Sequence, residues 1–158
     1  MRAYYFLAAA AVLALDRLSK HWVVSRLSPD SVHQVIPHLF NLVYTRNRGV
    51  AFGMLSDSAS RFQTITLIVF SATVIAILAA VIAMERQRRF TRSGIALALI
   101  LGGAAGNLVD RLSGDGVVDF LDFYFRSYHW HTFNLADSAI VCGALLWATT
   151  LWTPKTAR

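Results

Sequence analysis

Acids in apolar surroundings are the residues of this sequence most able to do chemistry. Asp16, Asp110 and Asp137 stand in or beside hydrophobic runs, and Asp115, Asp119 and Asp122 follow one another in a short segment between two such runs. An ionisable group inside a membrane span costs at least ~2.5 kcal/mol, so each such group is a functional candidate by default. Two carboxylates brought together in a dry site cannot both ionise. They share a proton, and one can then deprotonate a water while the other protonates a carbonyl oxygen. This is aspartic peptidase chemistry. The other inventories are poor. His21, His33, His38, His129 and His131 form no HExxH pattern, and His129-x-His131 is weak as a metal pair. Cys142 has no neighbouring base, and no serine lies in a nucleophile elbow or beside a lysine at catalytic spacing. No metal and no cofactor is expected.

The elements that must position these acids are membrane helices. The 158-residue chain is 56% hydrophobic and 15% charged, where soluble domains carry about 25% charge. Its mean hydropathy is +0.49. The same composition excludes disorder, and one cysteine excludes a disulfide framework. The excess of 15 Lys+Arg over 9 Asp+Glu gives +6. No basic run is interleaved with aromatics, so the charge reads as topology signals and lipid-headgroup contacts, not as a nucleic-acid surface. A bilayer needs about 20 apolar residues per helix. Residues 3–27, 62–84, 93–112 and 133–152 qualify, which predicts an all-α membrane protein: one integral domain over 1–158 with four transmembrane helices. The first is the least regular. Its apolar run from Ala3 to Leu15 has the length of a signal-peptide core. No small-x-small cleavage site follows, and helical periodicity continues through Leu18, Trp22 and Val23, so a retained helix is predicted.

Arg86, Arg88, Arg89 and Arg92 crowd the link at 85–92, which makes that loop cytoplasmic and places both termini with it. Residues 28–61 and 113–132 are then periplasmic. With that orientation Asp16 and Lys20, then Asn107, Asp110 and Arg111, then Asn134 and Asp137 all fall at one depth near the outer interface. Asp16 and Lys20, one turn apart, can neutralise each other. Asp110 is expected to face the headgroups. In the first outer segment His38–Thr45 is rich in β-formers, Arg46-Asn47-Arg48-Gly49 signals a turn, and residues 50–54 resume the apolar run. This predicts a small hairpin-like β arm between helices 1 and 2, lying on the membrane surface. Gly102 and Gly106 form a small-xxx-small packing pair. Trp22, Trp130, Trp147 and Trp152 read as belt residues, and Cys142 as a buried thiol.

Five blocks carry a resemblance. They are Leu15-Asp16-Arg17-Leu18-Ser19-Lys20; Tyr44-Thr45-Arg46-Asn47-Arg48-Gly49-Val50-Ala51-Phe52-Gly53; Gly102-Gly103-Ala104-Ala105-Gly106-Asn107-Leu108-Val109-Asp110-Arg111; Gly116-Val117-Val118-Asp119-Phe120; and Phe133-Asn134-Leu135-Ala136-Asp137-Ser138-Ala139-Ile140. In this order and over nearly the whole length, the chain resembles the bacterial lipoprotein signal peptidases (signal peptidase II). The resemblance implies an aspartic endopeptidase of the inner membrane that cleaves diacylated prolipoproteins before the lipid-modified cysteine. It implies Asp119 and Asp137 as the catalytic pair, with Asp16, Lys20, Asn47, Phe52, Asn107, Arg111 and Asn134 as substrate-binding or supporting residues. Membrane lipid and prolipoproteins are the expected partners, and the enzyme is expected to act as a monomer. Arg48 departs from the small residue, often threonine, that many members carry at that turn, which alters contacts with substrate.

Plainer readings stand beside these. By residue type alone Asp119 cannot be chosen over Asp115 or Asp122. Asp137 suits the N-terminus of any helix, Asp16 and Lys20 a structural pair, Arg111 a snorkelling interfacial cation, Asn47 a turn, and Phe52 an interfacial aromatic. A proton or ion relay would use the same acids, but it should continue across the bilayer. The second apolar stretch has no charge, and the inner halves of the others offer only weak polar groups such as Thr149 and Thr150. A non-catalytic assembly factor would not require the two acids for peptide-bond cleavage.

Overall fold

The computed structural model describes residues 2–49, 61–85 and 90–151. Its helices are α1 (Arg2–Arg26), α2 (Arg61–Met84), α3 (Arg92–Ser113) and α4 (Leu135–Leu151), and its strands are β1 (Val32–Ile36), β2 (Phe40–Asn47), β3 (Val117–Phe125) and β4 (Tyr128–His129). The protein is therefore mostly helical with one small antiparallel sheet in the order β1-β2-β3-β4. By length and composition α2 and α3 are long and apolar enough to cross a bilayer. In α2 only Ile82 is buried, and Phe62, Phe70 and Met84 are more than 60% exposed. A helix apolar on every side with so little protein around it needs an apolar solvent.

The bundle is organised about α3, which packs on α1, α2 and α4. Its small residues explain why. A Cβ on Gly102 would stand 2.5 Å from the carbonyl oxygen of Ala9 in α1, and one on Gly103 would stand 2.4 Å from that of Ala136 in α4. A Cβ on Gly106 would meet both neighbours, with Asp16 Oδ2 at 2.5 Å and the Ala136 Cβ at 3.3 Å. Backbone cannot yield as a flexible side chain can, so Gly102→Ala should force α1 from α3. The expected cost is about 1–3 kcal/mol, read as a lower thermal midpoint of the detergent-solubilised protein; an unchanged midpoint would remove the close approach from the account.

Each end of the bundle is tied differently. At one end the Tyr5 hydroxyl accepts a hydrogen bond from the Thr91 N–H at 2.9 Å, and the Thr91 side chain caps α3 by accepting from the Gly94 N–H. At the other, α3 closes on Gly114, whose φ of 84° and N–H bond to the Arg111 carbonyl form a left-handed cap. Gly116, also left-handed at φ 87°, turns the chain into β3. Val23, Tyr44, Val118 and Phe120 then bury the sheet against this end of α1.

The sheet differs from the predicted arm. The hairpin turn lies at 37–39, closed by the Leu39 N–H on the Ile36 carbonyl at 3.2 Å, with His38 in the left-handed region at φ 64°. The segment 46–49 is not the tip: β2 runs through Asn47 and pairs on its far side with β3. Residues 50–54, the expected return strand, lie outside the described residues. The segment 113–132, read as a plain outer link, supplies β3 and β4. Its Val117-Val118-Asp119-Phe120-Leu121-Asp122-Phe123-Tyr124-Phe125 run is β-branched and aromatic, and that character outweighs its two acids. Cys142 is exposed on α4, beside exposed Val141 and Leu145, and not buried as expected; a thiol is a small hydrophobe that an apolar solvent covers as well as protein does.

Candidate active site

The site forms where α1, α3 and α4 end beneath the sheet. Phe133 is the fastener. Its carbonyl accepts from the N–H groups of Phe120 (3.0 Å) and Leu121 (2.9 Å), and its own N–H donates to the Leu121 carbonyl. This draws the start of α4 against β3, so that Asn134, next in sequence, lies beside Asp119. Asn134 and Asp137 form a reciprocal helix cap: the Asp137 N–H donates to Asn134 Oδ1 at 3.0 Å, and the Asn134 N–H donates to Asp137 Oδ2 at 3.2 Å. Asp137 does lie in the first turn of its helix, as the plainer reading has it, and the cap bond uses one of its two oxygens.

All four oxygens of the two carboxylates accept one hydrogen bond each. Asp119 Oδ1 accepts from Asn134 Nδ2 at 2.7 Å, and Oδ2 from Asn47 Nδ2 at 3.1 Å. Asp137 Oδ1 accepts from Asn107 Nδ2 at 2.7 Å, its Oδ2 being the cap acceptor. Asn47 is held in turn by the Gly49 N–H on its Oδ1 at 2.9 Å. It is both a turn residue and a hydrogen-bond partner of Asp119. Burial first, and the neighbouring Asp137 charge second, raise the Asp119 pKa to about 7. Arg111 stands within electrostatic reach of both acids, and its Nη1 donates to the Asn107 carbonyl at 3.3 Å.

Beneath lies a buried ionic network. Lys20 Nζ is 2.8 Å from Asp16 Oδ2 and 2.8 Å from Asp110 Oδ2, and it donates to Asn107 Oδ1 at 3.1 Å. Asp16 Oδ1 accepts from the Ala136 N–H at 3.0 Å, one residue before Asp137. Asp110 also pairs with Arg17 and accepts from the Val118 N–H at 3.3 Å, one residue before Asp119. Asp110 therefore does not face the headgroups as expected. It is 4% exposed, because two α1 cations and a strand N–H converge on it. Sequence reasoning missed both Asp110 and Arg17 as supports of the site. The only available signal was a lone acid at the end of an apolar run close to a second basic residue.

The alternatives to Asp119 are placed elsewhere. Asp122 is three residues on in the same strand and so points to the opposite face of the sheet, where Asn41 Nδ2 (2.8 Å) and His129 Nδ1 (2.9 Å) hold it. Asp115 is exposed and paired with Arg46 at 3.3 Å. His129 thus serves an acid, and no group of metal-ligating side chains occurs among the described residues. Phe52 lies outside the described residues. Of the remaining predicted site residues, Asp16, Lys20, Asn47, Asn107, Arg111 and Asn134 are all joined to the two acids or to one another.

The fold of an apolar bundle with a small sheet has counterparts among solved proteins. One bacterial membrane enzyme, solved by the in meso method at 2.3 Å, is similar with a TM-score of 0.83 and 26% identity, over 99% of this chain and 95% of that one. Another at 1.9 Å gives a TM-score of 0.81 and 27% identity over 98% and 95%. Residues 8–153 match the family described as Signal peptidase (SPase) II. The lipoprotein signal peptidase of Solibacter usitatus is 48% identical over 93% of this chain and 89% of its own length. That of Oleidesulfovibrio alaskensis is 45% identical over 88% of each. The chain belongs to the signal peptidase II family, and its activity is the removal of signal peptides from prolipoproteins by hydrolysis of a peptide bond.

Proposed function

We propose that Asp119 and Asp137 carry out that hydrolysis as an aspartic dyad, cutting just before a diacylglyceryl-modified cysteine. In this reading a water held between them attacks the scissile carbonyl. Asp137 takes a proton from the water while protonated Asp119 gives one to the carbonyl oxygen, producing a neutral tetrahedral diol. Collapse of the diol breaks the C–N bond: Asp137 returns its proton to the leaving cysteine nitrogen while Asp119 takes one from a diol hydroxyl, which restores the starting dyad. The observation that carries the reading is the set of asparagine amides, Asn47, Asn107 and Asn134, that hold both carboxylates within one hydrogen-bonded unit. Asp16, Lys20 and Arg111 support that unit, and Phe52 is assigned to substrate binding in this reading.

The whole chain acts as a four-span monomer in the inner membrane, with both termini and the arginine-rich 85–92 link in the cytoplasm and the sheet at the periplasmic face. Arginine density in that link supports the orientation. So does the gathering of buried polar groups at one end of the bundle. The acyl chains of the substrate lie in the bilayer between the helices, while its peptide passes beneath the sheet.

A pH profile tests the dyad. With the Asp119 pKa raised to about 7, the proton it must donate is present below that pH and lost above it. The kcat/KM for a diacylated prolipoprotein should therefore decline above about pH 7, approaching tenfold per unit. A profile flat from pH 6 to about 8 would rule out a shared proton with this affinity.

A further inference from the structure

Beside the acids a cleft of about 200 Å³ is lined by Asn47, Arg48, Arg111, Gly116, Thr64 and Leu67. Its cations differ in their partners. Arg46 pairs with Asp115. Arg111 stands within electrostatic reach of Asp119 and Asp137. Arg48 is exposed and, among the described residues, has no carboxylate within ion-pair distance. The side chain is nonetheless placed. Asn47 and Gly49 close the turn around it, and its Cγ lies 3.0 Å from where a Cβ on Gly116 would stand. Its stem thus rests on the bare backbone of that glycine, and its guanidinium has no ion-pair partner among the described residues.

We propose that Arg48, with Arg111 behind it, is a specificity residue that receives an acidic side chain of the prolipoprotein close to the scissile bond. A peptide fits the cleft better than a lipid phosphate does. The cleft wall includes Asn47, whose amide bonds Asp119, so an occupant there is continuous with the reacting peptide. Leu67 is the one bulky apolar side chain among the lining residues, which leaves no wall for an acyl chain. A guanidinium offers a carboxylate two parallel donors, and a partly exposed pair of this kind yields about fivefold in affinity. The inference needs cleavage to occur beside Asn47 but not the assignment of either acid's role.

The test uses full-length enzyme in detergent micelles and diacylated prolipoprotein peptides in which one Asp, or Asn as control, is moved through the positions flanking the cleavage site. Wild type should prefer Asp over Asn at one position by about fivefold in kcat/KM. The preference should shrink as salt is raised, and it should fall to about one in Arg48→Thr. Arg48→Lys should keep part of it, and Arg126→Thr, on the distant β3–β4 turn, all of it. Because the readout is a ratio within each variant, loss of folded enzyme does not affect it. Less than about twofold preference at every position, or a preference that survives Arg48→Thr, overturns the proposal. So does an Arg48 effect seen only when anionic phospholipid is added to the micelles. If Asp119→Asn cleaves like wild type, the dyad reading fails while the ratio still stands or falls by itself.

Discussion

Asp119→Asn and Asp137→Asn are each expected to lower kcat/KM for a diacylated prolipoprotein by at least ~1000-fold while leaving the protein folded, since general acid–base groups contribute up to about 10⁴. The separation of the two effects follows from the hydrogen bonds. Asparagine keeps one of the two acceptor oxygens, so each variant loses one of the acid's two hydrogen bonds and retains the other, while the backbone N–H of residue 137 still donates to Asn134. What it cannot do is lose or supply a proton. The measurement is cleavage by purified variants whose thermal midpoints match wild type. A folded Asp119→Asn enzyme with an unchanged rate would move attention to Asp122, the other buried acid of β3. The double variant should be little worse than either single one, because two groups acting as a unit are lost together.

Lys20→Met should be the most destabilising single change in the site. Lys20 and Asp16 are each no more than 1% exposed and Asp110 is 4% exposed. Removing the cation leaves Asp16 buried without its counter-charge and Asp110 dependent on Arg17 alone. Truncating one partner of a buried pair costs about 3–5 kcal/mol. The detergent-solubilised variant should therefore melt well below wild type. Adding Asp16→Asn should recover part of the loss, a coupling that a double-mutant cycle measures directly. If Lys20→Met melts like wild type, the network is ornamental, and the positions of Asn107 and Ala136 must be set by packing alone.

The helices were legible because each is long enough to average out single exceptions. Even the charged half of α1 kept its periodicity through Leu18, Trp22 and Val23. The Asp16–Lys20 pairing was legible as well, since it is fixed by one helical turn. The sheet was not. Its strands meet across long separations in sequence, Asn41 with Asp122 and Thr45 with Asp119, and nothing local announces such partners. A signal was nevertheless present in Val117–Phe125. Had it been read as a strand, the period of two would have put Asp119 and Asp122 on opposite faces and separated them without any family resemblance. Asp110 was misjudged for the opposite reason. It sits one residue from Arg111, and its partners, Arg17 and Lys20, belong to a helix some 90 residues earlier. Asn134-x-x-Asp137 could have been taken as a capping box from sequence alone.

Asn134 touches both acids, with its side-chain amide on Asp119 and its backbone N–H on Asp137. The interval between the two carboxylates is therefore gauged by the covalent frame of one residue, whose bond lengths and angles barely vary, and not by the separation of helices that tilt with the surrounding lipid. Bilayers of different thickness or composition can move the helices while that internal ruler stays the same. The two carboxylates can thus keep one mutual geometry in a solvent whose dimensions the protein does not control.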